Sequence, residues 1–208
     1  MAASIDDEFI ARADELIAAG AYIHERGWVP ATSGNFSARL SDGSIAITVS
    51  GRHKGRLNRG DILRSDAEGH SLDGRKPSAE TQLHVALYRR FPNVSSVLHP
   101  HSPGAILVSR LFKDALVLEN HELLKALNGI RSHEAQIRVP IFANDQLIPR
   151  LATVVDGYLD REPDTHAYII AGHGFYTWGN SVNDALRHVE ALEFLFDLEI
   201  RLHGAKKP

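Results

Sequence analysis

The chain has 208 residues, a formal charge of −3 and no cysteine. That length fits a single domain, 1–208, with a sizeable core, and 43% hydrophobic with 24% charged residues is ordinary for a globular protein in water. The small charge gives no sign of nucleic-acid or anionic-membrane partners, and any metal must sit on His, Asp or Glu, which fits Zn, Mn or Fe. The start, Met1-Ala2-Ala3-Ser4-Ile5-Asp6-Asp7-Glu8, is acidic and lacks the basic and apolar regions of a secretory leader. No apolar run reaches the roughly 20 residues that span a bilayer, so the cytoplasm is the expected location.

Residues 6–26 read as a helix, with Phe9, Ile10, Ala13, Leu16, Ile17 and Ala21 on one face and Gly27 as its stop. Short strands are expected over 34–40 and 45–49 around the turn Ser41-Asp42-Gly43-Ser44, with a weak strand over 61–65 and a turn at Asp73-Gly74. Residues 78–91 read as a helix capped by Ser78, with Leu83, Leu87 and Phe91 as its apolar stripe. A strand over 94–101 and a short helix over 103–111, opened by Pro103, follow. Residues 120–127 look helical, 135–142 extended and 144–161 helical. Strands over 165–171 and 174–177 precede a last helix, 182–203, capped by Ser181 and broadly apolar along Ala185, Val189, Leu192 and Phe196. Helices and strands alternate, but hairpins also occur, so a mixed, largely antiparallel sheet flanked by helices fits better than a doubly wound parallel one.

The chemistry concentrates in a few motifs. His99-Pro100-His101 ends one expected strand, where residues two apart point to the same face. His173, in Gly172-His173-Gly174, follows another strand and can close a three-histidine site. Three protein ligands leave a position for water or substrate, the arrangement of a catalytic metal. A His-x-His pair alone is a weak signal in a chain with 12 His; its context gives it weight. As a metal ligand, His99 is expected to be poorly placed to act as core.

Ala31-Thr32-Ser33-Gly34-Asn35-Phe36-Ser37 and Ser50-Gly51-Arg52-His53-Lys54-Gly55 can each present backbone N–H groups and small polar side chains to a phosphate. Either alone is more often an ordinary turn. Lys76-Pro77-Ser78-Ala79-Glu80 puts a carboxylate in the first turn of a helix, where acids are stabilising whether or not they act chemically. His84, one turn on, reads as a residue of the core or behind the site. Glu122, in Asn120-His121-Glu122, reads as a surface acid or a functional one.

Taken in this order across most of the chain, these motifs, together with Gly172-His173-Gly174-Phe175-Tyr176-Thr177-Trp178-Gly179, resemble the class II aldolase/adducin family. Gly27-Trp28, Asn120-His121-Glu122 and Tyr176-Thr177-Trp178-Gly179 are most similar to the branch that dehydrates 5-methylthioribulose 1-phosphate in methionine salvage. The resemblance implies an α/β fold, a three-layer α/β/α sandwich with a mainly antiparallel central sheet. It also implies a homotetramer with active sites near subunit interfaces. It implies one Zn per subunit on His99, His101 and His173, and a substrate phosphate held by Asn35, Ser50, Gly51, Ser78 and Ala79. Glu80 matches the acid/base of the aldolases and Glu122 that of the dehydratases. The expected division of labour gives the proton transfers to Glu122 and leaves Glu80 to tune or cover the metal. Tyr168, Tyr176 and Trp178 read as core or pocket wall rather than chemistry, and Phe175, Tyr176 and Trp178 are candidates for the wall around the methylthio tail. The alternative enzyme is a metal-dependent sugar-phosphate aldolase or 4-epimerase. A non-catalytic module, as in adducin heads, would be expected to have a degraded metal site.

Overall fold

The computed structural model describes residues 4–205; 1–3, the start of the acidic N-terminus, and 206–208 lie outside them. Helix α1 (Ile5–Glu25) opens with a capping box: Ser4 Oγ accepts from Asp7 N while the Asp7 carboxylate accepts from Ser4 N. The strands β1 (Asn35–Arg39), β2 (Ile45–Thr48) and β3 (Ile62–Ser65) follow as an antiparallel meander. Next come α2 (Thr81–Arg90), β4 (Ser96–His99), α3 (Pro103–Leu111) and β5 (Ala115–Glu119). A 3-10 turn (Glu122–Ala126), β6 (Gln136–Phe142), α4 (Ile148–Arg161), β7 (Ala167–Ile170), β8 (Gly174–Gly179) and α5 (Val182–Ala205) complete the chain.

The eight strands form one sheet in the order β3-β2-β1-β4-β8-β7-β6-β5. Only the β6–β7 pair is parallel, so the sheet is mixed with antiparallel pairs in the majority. Strand alternation feeds two cores. Phe36, Ala38, Leu98 and Phe175 face α1, α3 and α5. Ile45, Ile47, Val97, Tyr168, Ile170, Tyr176 and Trp178 face α2 and α4. Helices on both faces of the sheet make the three layers the sequence predicts. No helix among the described residues is long and apolar enough to cross a membrane.

Four elements differ from expectation, one of them α4, which starts at Ile148 rather than 144 and leaves 144–146 as loop. Helix α2 starts at Thr81 rather than Ser78; Glu80 is its N-cap position, at φ −98 and ψ 12, without a side-chain capping bond. The Ser78 carbonyl instead accepts from Thr81 N and Oγ1, so 78–80 is a turn that swings Glu80 off the helix axis. Strand β5 lies where the sequence reading assigns no element, and 122–126 is a 3-10 turn rather than α-helix.

Candidate active site

The three histidines converge. His99 is the last residue of β4, His101 lies two residues on, and His173 sits in the tight turn between β7 and β8. Two glycines permit this crossing. A Cβ on Gly174 would meet Pro100 O at 2.3 Å, and one on Gly34, at φ +73, would meet His99 O at 2.6 Å. The 99–101 segment is therefore clamped between two chain reversals that no larger residue allows.

Glu80 completes the group. One ligand atom from each of Glu80, His99, His101 and His173 lies within 4.8 Å of the others, a set that can hold a metal ion. His99 Nδ1 lies 2.8 Å from Phe175 O. Donation to that carbonyl turns Nε2 inward, where it can serve as a ligand atom. That Nε2 is 2.9 Å from His101 Nε2 and 3.3 Å from Glu80 Oε2. Glu80 Oε1 lies 3.4 Å from His173 Nε2 and has no hydrogen-bond partner among the described residues. Imidazole nitrogens crowded around a carboxylate suit a shared cation, and nitrogen and oxygen donors without sulfur suit Zn or a similar divalent ion.

Burial shapes the charges. It pulls His101 down to about 2, with His99 and His173 adding to the effect. Burial also lowers His173. Burial alone would raise Glu80, but the adjacent His99, then His173 and the Asn35 amide, outweigh it and hold the carboxyl well below the usual range.

A cavity of about 290 Å³ opens over the cluster. It is lined by all five residues expected to hold a phosphate, Asn35, Ser50, Gly51, Ser78 and Ala79, and by Glu80, His101 and His173. Asn35 reaches both functions: it pairs with His99 in the β1–β4 register, and its Nδ2 donates to Glu80 Oε2 at 2.7 Å.

Lys54 was missed as a site residue. Its side chain is 2% exposed, yet it lines the cavity, and Nζ donates to Thr32 O at 2.8 Å and Arg52 O at 2.7 Å. One ammonium thus ties the two cradle loops together and puts a positive charge beneath them. Burial lowers its pKa to about 8 against the opposing pull of Glu80. The loop residues Asn144, Asp145 and Gln146, with Ile148, form a further wall that the motifs did not indicate.

Two expectations fail here. Phe175, Tyr176 and Trp178 do not line the cavity; all three are core, because alternation along β8 sends Phe175 to one helical layer and Tyr176 and Trp178 to the other. His99 is itself core: it is fully buried and stacks on Tyr176 at 3.9 Å between ring centroids. Its truncation would leave a hole as well as a missing ligand. Glu122 does not join the cluster within one chain. It begins the 3-10 turn, its side chain is 73% exposed, and it pairs with Lys125 at 2.7 Å and His133 at 3.9 Å.

A three-layer sandwich with a histidine–carboxylate cluster beside a polar cradle defines a metal-site protein of the class II aldolase type. The chain belongs to that family: the Class II Aldolase and Adducin N-terminal domain matches residues 14–200. A methylthioribulose-1-phosphate dehydratase of Methylococcus capsulatus is 67% identical over 97% of this chain and 99% of its own. Its namesake in Azotobacter vinelandii is 54% identical over 91% and 93% of the two chains. Among solved structures, the L-fuculose-1-phosphate aldolase of Thermus thermophilus superposes with a TM-score of 0.73 at 26% identity, covering 95% of this chain and 98% of that one.

Proposed function

We propose that this chain is a Zn-dependent hydro-lyase that converts 5-methylthioribulose 1-phosphate to 5-methylthio-2,3-dioxopentyl phosphate, a step of methionine salvage. The observation that carries the reading is the meeting of a histidine–carboxylate cluster and an anion cradle in one cavity. The relatives' shared name supplies the substrate.

His99, His101 and His173 hold the ion. When bound, Zn supplies Lewis-acid polarisation of the ketose carbonyl, which acidifies the neighbouring C3–H. The cradle of Asn35, Ser50, Gly51, Ser78 and Ala79 binds the phosphate, and the Lys54 ammonium offsets its charge. Fixing the phosphate at one end directs the reacting carbons toward the cluster. A carboxylate takes the C3 proton and returns it to the C4 hydroxyl, which leaves as water. One C–H and one C–O bond break, a C3–C4 double bond forms, and the enol relaxes to the diketone. Glu80, shared between Asn35 and two histidines, covers and orients the cluster.

Glu122 carries the proton transfers. Because it stands apart from its own chain's cluster, it serves the site of a neighbouring subunit, which requires an oligomer, in the family's manner a homotetramer. The whole chain acts as one catalytic domain, in the cytoplasm.

Mass spectrometry of the product from 5-methylthioribulose 1-phosphate and Zn-loaded protein tests the reading. Loss of one water supports it. A three-carbon ketose phosphate plus an aldehyde would make the enzyme an aldolase instead.

A further inference from the structure

Behind the cavity, five buried side chains from α2 and β1 interleave. Asn35 Nδ2 donates to Glu80 Oε2 at 2.7 Å, and Asn35 Oδ1 meets His84 Nε2. His84 Nδ1 lies 2.7 Å from Ser37 Oγ, which lies 2.7 Å from Tyr88 OH. Glu80, Asn35, His84, Ser37 and Tyr88 are all buried. The match is geometric: four residues of helix rise about 6 Å and two of strand about 6.7 Å, so 84 and 88 of α2 interlock with 35 and 37 of β1, and Glu80 at the N-cap of α2 ends the row.

The chemistry of the groups fixes the direction of every bond. An ionised carboxylate only accepts, so Asn35 turns its N–H toward Glu80 and its carbonyl toward His84. That carbonyl needs a donor, so His84 carries hydrogen on Nε2. A neutral imidazole then has a bare Nδ1, which accepts from Ser37 Oγ–H. Ser37 Oγ in turn accepts from the Tyr88 hydroxyl. Each donor points toward Glu80, an arrangement in which successive bonds polarise one another. Burial keeps His84 neutral, lowering its pKa to about 3 with His99 adding to the shift.

We infer that His84 is a positioning residue: backed by Ser37 and Tyr88, it locks the Asn35 amide with its N–H toward Glu80 and thereby holds the Glu80 carboxylate against the histidine cluster. Without the His84 donor, Asn35 is free to flip and present its carbonyl to the carboxylate, two acceptors face to face. The tautomer is independent of the proposed reaction; the kinetic arm rests on that reaction.

The test begins with 15N NMR of the Zn-loaded protein labelled at histidine, with the His84 signal assigned by its loss in His84→Gln. The expected result is a neutral ring with hydrogen on Nε2. Hydrogen on Nδ1, or a cationic ring, overturns the inference, because the chain would then run the other way or not at all. Kinetics add a second arm. Gln can offer one donor and one acceptor in place of the two ring nitrogens, whereas Phe offers neither but packs well beside Tyr176. His84→Phe is expected to lower kcat about ten- to a hundredfold, with KM changed less than about twofold. His84→Gln is expected to recover to within about threefold of the parent. A purely structural role ranks the two variants the other way, and that ranking overturns the inference. If the parent protein fails to dehydrate the substrate, the functional reading falls while the tautomer still decides the hydrogen-bond chain.

Discussion

The cavity around Glu80 and the surface around Glu122 are built on opposite plans. Glu80 is 8% exposed, fixed by Asn35 and flanked by two histidines, all from its own chain. Glu122 is mostly exposed and faces Lys125 and His133, and the Lys125 hydrogen bond lowers its carboxyl. Beside it, Leu123 is 36% and Phe194 60% exposed. One carboxylate is preorganised; the other stands on a half-apolar surface that a second copy of the chain would complete. The same side chain thus serves two purposes, set by what surrounds it.

The largest effect should come from the cluster. His101→Ala is a better probe than His99→Ala, because His101 is less deeply buried and its loss disturbs the fold less. Its activity is expected to fall on the order of 10⁴-fold, since metal polarisation supplies several kcal/mol. The melting temperature of the metal-free variant should stay near that of the metal-free parent. A variant that retains metal by elemental analysis and turns over normally would break the ligand assignment.

The two acids come next. Glu80→Gln and Glu122→Gln are each expected to lower kcat, by about 10²- to 10⁴-fold for whichever transfers the proton. Mixed oligomers sharpen the comparison. If Glu122 serves a neighbour's site, inactive His101→Ala and Glu122→Gln chains recover activity when co-assembled. If every site is made by one chain, the mixture stays inactive and Glu80 inherits the proton transfers.

Lys54→Met removes the cradle's buried charge. It should raise KM for the phosphorylated ketose about ten- to a hundredfold and change kcat little, as for loss of a charge-assisted hydrogen bond. The parent protein should also show a pH dependence that this variant lacks. Lys54 is held down to about 8 by burial, so it is cationic below that pH. As pH rises through about 8 the ammonium loses its proton, and KM of the parent should climb. A flat KM up to pH 9 would remove Lys54 from phosphate binding.

What the sequence made legible was local. The two-residue spacing of His99 and His101, the glycine-flanked His173, and the short polar runs at 31–37, 50–55 and 76–80 all appear as neighbours along the chain. The structure gathers them into one cavity. What stayed hidden depends on distant packing. Lys54 lies in a run read for its backbone and small polar groups; the close approach of α1, where a Cβ on Gly20 would meet Lys54 O at 2.5 Å, helps to bury its side chain and is not written in the local sequence. Tyr176 and Trp178 read as a pocket wall because they follow a ligand turn, yet the β8 register points them into the core. Strand β5 was obscured because apolar Val117 faces outward and blurs the alternation of Leu116 and Leu118.

A third carboxylate, Glu193 of α5, combines features of the other two and gives the smallest effect. Like Glu80 it is buried; like Glu122 it lacks a cluster to join, and its Oε1 has no partner among the described residues. Burial raises its pKa to about 7, with Ser102 opposing and Asp197 assisting. The folded chain therefore holds a proton here that the unfolded chain releases near the ordinary carboxyl value. Below that value both states are protonated, and the stabilising difference is fully present. As pH rises toward about 7 and beyond it is lost, because the folded state must ionise a buried group. Glu193→Gln keeps the neutral shape at every pH. Its melting temperature should match the parent's near pH 4 and exceed it at pH 8 by about 2–8 °C. A gap that is equal at both pH values would mean that Glu193 ionises in the folded protein at no cost. The environment, rather than the cluster, would then no longer separate the buried acids from the exposed one.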